Sequence, residues 1–258
     1  MRRGRAAWAG DLETQTVSRV APPRVGWTVE ALLRRSGRGA LVAFDAPLGL
    51  PRTYLEHAGY SSFAEWLERA PFGELFEPVA GLEEWSVRRP FVRPARGGWT
   101  AVVAAAPFEL FRSIDRATNA ESVFKLIGAK QVGRAAQELW RELRAARRNG
   151  IEYALWPFEG ELAPGPAPVV AEIYPRTAYA AAVGPLPFVK RDARARVDAL
   201  TRVSPPVVVE DLAAAAASDD DFDACASAVA LLQRLLEGRP LVDPTRVDAV
   251  FEGAILAT

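Results

Sequence analysis

Apolar and polar positions divide this chain into short elements whose period changes several times. Residues 5–20 read as two short strands around a polar turn with Leu12-Glu13-Thr14-Gln15 at its tip, and Trp8 and Val17 are expected among the buried residues. Thr28 is placed to cap a short helix over Val29–Arg35, closed by Gly37. Ala40-Leu41-Val42-Ala43-Phe44 is a continuous apolar run, the pattern of a strand covered on both faces. It ends in Asp45. Asp45-Ala46-Pro47-Leu48-Gly49-Leu50-Pro51 can continue neither strand nor helix, because each proline lacks an N–H and biases the residue before it. Asp45 is therefore expected at the carboxyl end of a buried strand, where open α/β sheets keep their sites.

The next stretch, to about residue 118, is rich in Pro, Gly and aromatics, with a helix expected over Phe63–Arg69 and no legible structure through Arg96-Gly97-Gly98. Residues 131–148 carry one apolar stripe of Val132, Ala136, Leu139, Leu143 and Ala146 and stop at Asn149-Gly150, which predicts a helix. Its Arg134, Arg141, Arg144, Arg147 and Arg148 lie off the stripe and read as a solvated face with Glu138 and Glu142 as partners. Residues 151–156 predict a strand, 164–168 a loop, and 169–175 a second strand with Glu172 inside its apolar run. A buried carboxylate needs a partner, so Glu172 should meet an arginine or a metal. Residues 190–200, 210–217 and 219–237 read as helices, and 250–256 as a short apolar element. With no repeat and no long linker, the expectation is a single domain over 1–258, with an insertion at about 52–150 covering the site.

Composition narrows the class. The 258 residues, 50% of them hydrophobic, suffice for a packed core. The single cysteine, Cys225, rules out an internal disulfide and cysteine-cluster metal sites, which fits a reducing cytoplasm; it faces an apolar stripe and is expected in the core. No segment approaches the roughly 20 apolar residues that span a bilayer, so the expectation is a cytoplasmic protein with no membrane partner. Lys plus Arg total 32, as do Asp plus Glu, so any nucleic-acid contact must be local rather than a product of bulk charge. The lone histidine, His57, is accompanied by no serine nucleophile elbow, and no Gly-rich phosphate loop supports a phosphotransferase.

Candidate chemistry lies in the carboxylates. Ser218-Asp219-Asp220-Asp221-Phe222-Asp223 crowds four of them at a helix start. Helical residues rotate by about 100° each, so Asp219 and Asp220 stand one turn before Asp223, on either side of its direction, where a hard divalent ion can be gripped. The same residues also suit a capping box of Ser218 with Asp221, and acids stabilise any helix N-terminus. Together with Asp45 and Glu172 they form a spread acidic set of the kind that holds two metal ions about 3.5–4 Å apart for phosphoryl chemistry.

Several segments, in this order and spacing, carry a resemblance: Gly4-Arg5-Ala6-Ala7-Trp8-Ala9, residues 43–51, Phe111-Arg112 through Asp115-Arg116, Ser122-Val123-Phe124-Lys125-Leu126, Gln131-Val132-Gly133, Leu155-Trp156-Pro157-Phe158, residues 170–176, Asp220-Asp221-Phe222-Asp223-Ala224 and Glu252-Gly253-Ala254-Ile255. Through nearly its whole length the chain resembles the predicted RNase-H-like nucleases catalogued as domain of unknown function 429. The late motif is also similar to the acid-x-x-Asp-Ala helix start of RuvC-type resolvases, with Asp220 and Asp223 in the acidic positions. The resemblance implies an RNase-H-like (RuvC-like) α/β fold, a mixed sheet flanked by helices, and a metal-dependent nuclease acting on nucleic acid. On that reading Asp45, Asp220, Asp223 and Glu172 are the catalytic ligands of Mg²⁺ or Mn²⁺, with Glu172 alternatively organising an arginine, and Arg112 and Arg176 contact substrate.

One departure qualifies this. Family members open with a strand of the form apolar-Gly-apolar-Asp and a small-residue turn, and this chain begins inside that turn. The resemblance therefore leads to the expectation that the reading frame starts upstream, or that the first metal ligand has been lost. Loss favours the alternative of a non-catalytic binding or regulatory protein on the same fold, holding a metal, a phosphorylated ligand or a partner in an acidic cleft.

Overall fold

A computed structural model describes residues 5–24, 26–93, 98–126, 132–183 and 191–257. Expectations resting on Gly4, Arg96-Gly97, Gln131 and Lys190 lie outside the described residues. The chain is α/β. Its elements are β1 (Trp8–Asp11), β2 (Thr16–Arg19), α1 (Val29–Arg35), β3 (Leu41–Phe44), α2 (Arg52–His57), α3 (Phe63–Arg69), α4 (Phe72–Leu75), α5 (Gly98–Ala105), α6 (Ser113–Thr118) and α7 (Val132–Arg148). There follow β4 (Ala154–Leu155), β5 (Val169–Ile173), α8 (Pro175–Ala182), α9 (Ala193–Leu200), β6 (Val208–Val209), α10 (Leu212–Ala216), α11 (Asp219–Leu236) and β7 (Ile255–Leu256). Among the described residues no helix is long and apolar enough to cross a membrane. The chain divides into two compact units, each assembled from separate stretches of sequence.

The first unit takes Met1–Ala31, Ile173–Asp243 and Ile255–Thr258. Its sheet is mixed, in the order β1-β2-β6, with β2 antiparallel to β1 and parallel to β6. The expected hairpin forms because Asp11 Oδ1 accepts from the N–H groups of Glu13 at 2.8 Å and Thr14 at 2.9 Å, fixing the turn and holding the Asp11 carboxyl below its ordinary range. Val17 is fully buried, whereas Trp8 is only half-buried. Thr28 Oγ1 accepts from Ala31 N–H and caps α1. The apolar stripe of α11, with Phe222, Cys225, Val229 and Leu232, is buried, and the helix packs on β1 and α8. Burial pushes the Cys225 thiol up to about 12, so it serves as a small core residue.

The second unit takes Leu32–Glu172 and Pro244–Ala254. Here β3, β5 and β4 run parallel in that order, with Phe44 opposite Glu172. β5 is buried throughout, but of β3 only Val42 is buried, so the unbroken apolar run at 40–44 overstated its cover. The strand expected over 151–156 is reduced to Ala154–Leu155. The core is aromatic: Trp66 meets Trp140 edge-on at 4.8 Å and stacks on Phe63 at 5.6 Å, and Phe91 meets Phe124 at 5.6 Å. α7 forms over the stripe its sequence predicts and ends as Ile151 N–H reaches back to Ala146 O, with Gly150 at φ 75°. Arg144 is a correction to the solvated-face reading. It is buried, and its guanidinium donates to the carbonyls of Leu67 and Ala70 at the C-terminal end of α3, replacing partners the helix cannot supply itself, and also to Trp66 O, which already accepts from Ala70 N–H.

Two backbones touch where residues 47–51 pass residues 251–253. A Cβ on Gly49 would lie 2.1 Å from Glu252 O, and one on Gly253 would lie 2.2 Å from Leu48 O, both at positive φ. Gly253→Ala should therefore combine left-handed strain of about 1–2 kcal/mol with overpacking of about 1–3 kcal/mol. Gly150→Ala shares the positive φ but meets nothing within 4 Å. Urea titration should show the smaller loss at Gly150, about 1–2 kcal/mol; equal losses at the two positions would contradict the close approach.

Candidate functional site

Four of the segments carrying the resemblance meet around one guanidinium in the second unit. Arg112, 0% exposed, is the residue before α6, and its chain is held there because its own N–H donates to Asp115 Oδ2 at 3.0 Å. Its Nη1 donates to Glu172 Oε2 at 2.7 Å, Glu252 O at 3.1 Å and Leu48 O at 3.3 Å. Nη2 donates to Glu172 Oε1 at 2.8 Å and Asp115 Oδ1 at 2.7 Å, and Nε reaches Asp115 Oδ2 at 3.1 Å. The two-point pairing with Glu172 is the geometry a planar guanidinium favours. Glu172 Oε2 also accepts from Leu48 N–H at 2.7 Å, so the loop that follows Asp45 is gripped through both backbone groups of Leu48.

Glu252, likewise buried, completes the knot without facing the guanidinium with its side chain. Its carboxylate accepts from Ser113 N–H at 2.7 Å, from Ser113 Oγ, and from Arg52 N–H at 3.3 Å. These are orphan donors at the starts of α6 and α2. Two buried carboxylates thus face the guanidinium and a third lies beyond it, and backbone N–H groups offset the remaining negative charge. Burial opposes the charge on Arg112, but Asp115 and Glu172 hold it well above the ordinary guanidinium value. Burial pushes the Glu172 carboxyl up; Arg112 pulls it down and the Asp115 charge adds to the rise.

Asp45 is exposed, one residue beyond the β3 position that faces Glu172 across the parallel pair. Glu172 has the arginine partner its burial demanded, and its oxygens are committed to Arg112 and Leu48. Arg112, expected to contact substrate, directs its guanidinium to interior acceptors and presents no surface. Arg176 is exposed in the first turn of α8.

Asp220 and Asp223 belong to the first unit. Asp220 is exposed; Asp223 is half-buried and accepts from Tyr179 OH on α8. The capping of α11 falls to their neighbours: Ser218 Oγ accepts from Asp221 N–H at 3.0 Å and donates to Asp221 Oδ2 at 2.8 Å. Asp221 is buried, taking Trp8 Nε1–H at 3.2 Å and pairing with Arg19 at 2.9 Å, while Asp219 pairs with Arg196 at 2.9 Å. Among the described residues no three His, Cys, Asp or Glu side chains form a group able to hold a metal ion.

Sequence reasoning missed Asp115, Ser113 and the side chain of Glu252 as members of the knot. Asp115 lay three residues after Arg112, the spacing of a helical ion pair, and that was the available signal. Comparison of the chain with protein-family models, with curated proteins and with solved structures finds no match.

Removing Arg112 by substitution with alanine leaves Asp115 and Glu172 buried without a counterion, and the expected loss is about 3–5 kcal/mol. Asp45→Asn, at an exposed position, should stay within about 0.5 kcal/mol. Chemical denaturation distinguishes the two; comparable losses would mean that Arg112 is not the hub.

The Glu172 carboxyl also sets a pH dependence. Because its folded value is raised, the folded state binds the proton more tightly. That contribution is full below the unfolded value of about 4.3 and is lost as pH rises through the folded value. The stability of the native protein relative to Glu172→Gln should therefore fall as pH rises through that window. A difference independent of pH would show that Arg112 cancels the effect of burial.

Proposed function

We propose that this chain is an RNase-H-like α/β protein of the nuclease family it resembles, and that it hydrolyses phosphodiesters of nucleic acid with Mg²⁺ or Mn²⁺. One observation carries the reading. Leu48, Arg112, Asp115, Glu172 and Glu252 come from four segments of the resemblance, spread over more than 200 residues, and they close into a single hydrogen-bonded knot beside Asp45. Likeness of order and spacing alone would not require such a meeting, and it supports treating those segments as one inherited design.

The resemblance makes Asp45, Asp220 and Asp223 the carboxylate ligands, and Glu172 acts through Arg112 as a positioning residue. The donor atoms suit a hard cation, but the described residues hold no group of three His, Cys, Asp or Glu that could bind one. When bound, the ion would activate water and stabilise the leaving oxygen. The chain's own residues do the positioning: Arg112 and Glu172 fix Leu48, three residues after Asp45, and Tyr179 orients the Asp223 carboxylate.

The commitment of Glu172 to Arg112 specifically favours a second reading, a non-catalytic binding or regulatory protein on the same fold. Incubation with labelled single-stranded, duplex and hybrid nucleic acids in millimolar Mn²⁺ separates them. The first reading expects cleavage that EDTA stops and that Asp45→Asn or Asp223→Asn lowers at least about 100-fold, the scale of losing an essential group. Absence of cleavage by folded protein on every substrate supports the second.

A further inference from the structure

α7 carries a second feature that the buried knot does not use. Arg134, Arg141 and Arg148 recur at seven-residue intervals and are all exposed. Seven residues make nearly two turns, so the three guanidiniums form one stripe that drifts only about 20° per interval. At about 1.5 Å per residue they stand about 10.5 Å apart and span about 21 Å. Trp140, one residue before Arg141, points inward and donates its Nε1–H to Pro47 O at 2.9 Å, in the loop that follows Asp45. The stripe therefore lies about 100° round the same helix from the residue that grips that loop.

The solvated-face explanation requires the arginines to be balanced along the helix. Among the described residues no ion pair involves any of the three, although Arg147 beside them pairs with both Glu68 and Glu159. The Arg141 guanidinium instead rests over the Phe76 ring, 4.6 Å from its centroid, which restrains its stem while leaving the position exposed. An anionic lipid surface is a poor match, because a membrane-binding helix presents an apolar face, and the apolar stripe of α7 is buried in the core. A phosphodiester backbone matches better. One strand of a duplex advances about 3.4 Å per phosphate, so the stripe covers about six steps. With zero net charge overall, attraction of such a polyanion has to come from a local array of this kind.

We propose that the Arg134–Arg141–Arg148 face of α7 is a contact surface for a nucleic-acid backbone, flanking the Asp45 loop. The proposal rests on the nuclease reading for its choice of partner, but its test reads binding rather than cleavage. The probes are fluorescein-labelled DNA and RNA duplexes of about 30 base pairs, titrated in EDTA over a series of salt concentrations. Arg134→Gln, Arg141→Gln and Arg148→Gln together should weaken binding at least about tenfold and reduce the slope of log affinity against log salt by about 2–3, near 0.9 per phosphate contact. Arg69→Gln, on α3 and paired with Glu65, should change neither. Circular dichroism should show the triple variant folded as the native chain is.

The outcomes separate the two proposals. Binding lost in the triple variant, with no cleavage by the native protein, upholds the surface and defeats the nuclease. Cleavage with unaltered affinity and salt slope defeats the surface and leaves the nuclease standing. Absence of duplex binding by the native protein, or binding by the same arginines to phosphatidylglycerol vesicles instead, overturns the surface.

Discussion

A guanidinium without exposed area keeps its charge only if anions and carbonyls surround it, and Arg112 is where that requirement organises the second unit. Its acceptors come from residues 48, 115, 172 and 252, so the loop after β3, the start of α6, the end of β5 and the 251–253 turn are fixed against one another by one planar group. Buried ion pairs are not strong stabilisers when compared with apolar replacements. What this one specifies is path: the guanidinium offers its donors in one plane, and each acceptor must sit at a set place on it. The glycines follow from the same constraint, since bringing Leu48 and Glu252 to adjacent donors forces their backbones together at Gly49 and Gly253.

α7 is the second organiser of that unit. Its buried face supplies Trp140 both to the aromatic core and to the carbonyl of Pro47, and Arg144 closes the open end of α3. Loop position, core packing and a helix terminus thus depend on one rigid element, which also presents the arginine stripe. A helix tied down at so many points is a good platform for surface contacts, because its side chains start from a fixed backbone.

Elements with a complete local signal were legible in the sequence. The hairpin, Val29–Arg35, Phe63–Arg69 and the helices at 132–148 and 219–236 each carried a cap, a stripe or a turn within their own residues. The short helices α2, α6 and α8 were not. α8 begins at Pro175, which in sequence reads as the end of the preceding strand although proline is well suited to a first helical turn. The burial of Arg112 and Arg144 was illegible for a different reason: arginine is ordinarily exposed, and the acceptors that permit its burial are supplied by residues up to 140 positions away. Glu172 shows the converse, because a charge inside an apolar run is costly enough alone that the need for a partner can be read before the partner is known.

The acidic start of α11 posed capping against metal binding, and the structure assigns the cap to particular residues. Ser218 and Asp221 make it, and Asp221 then turns inward to Trp8 and Arg19. Arg196 pairs with Asp219 as Arg19 does with Asp221, which offsets part of the segment's negative charge. The two acids singled out by the resemblance, Asp220 and Asp223, are not the residue that caps the helix. Three residues apart on a helix, they share a face, with Asp223 steadied by Tyr179 from α8. Capping therefore falls to a different carboxylate of the run from the two on which the nuclease reading depends.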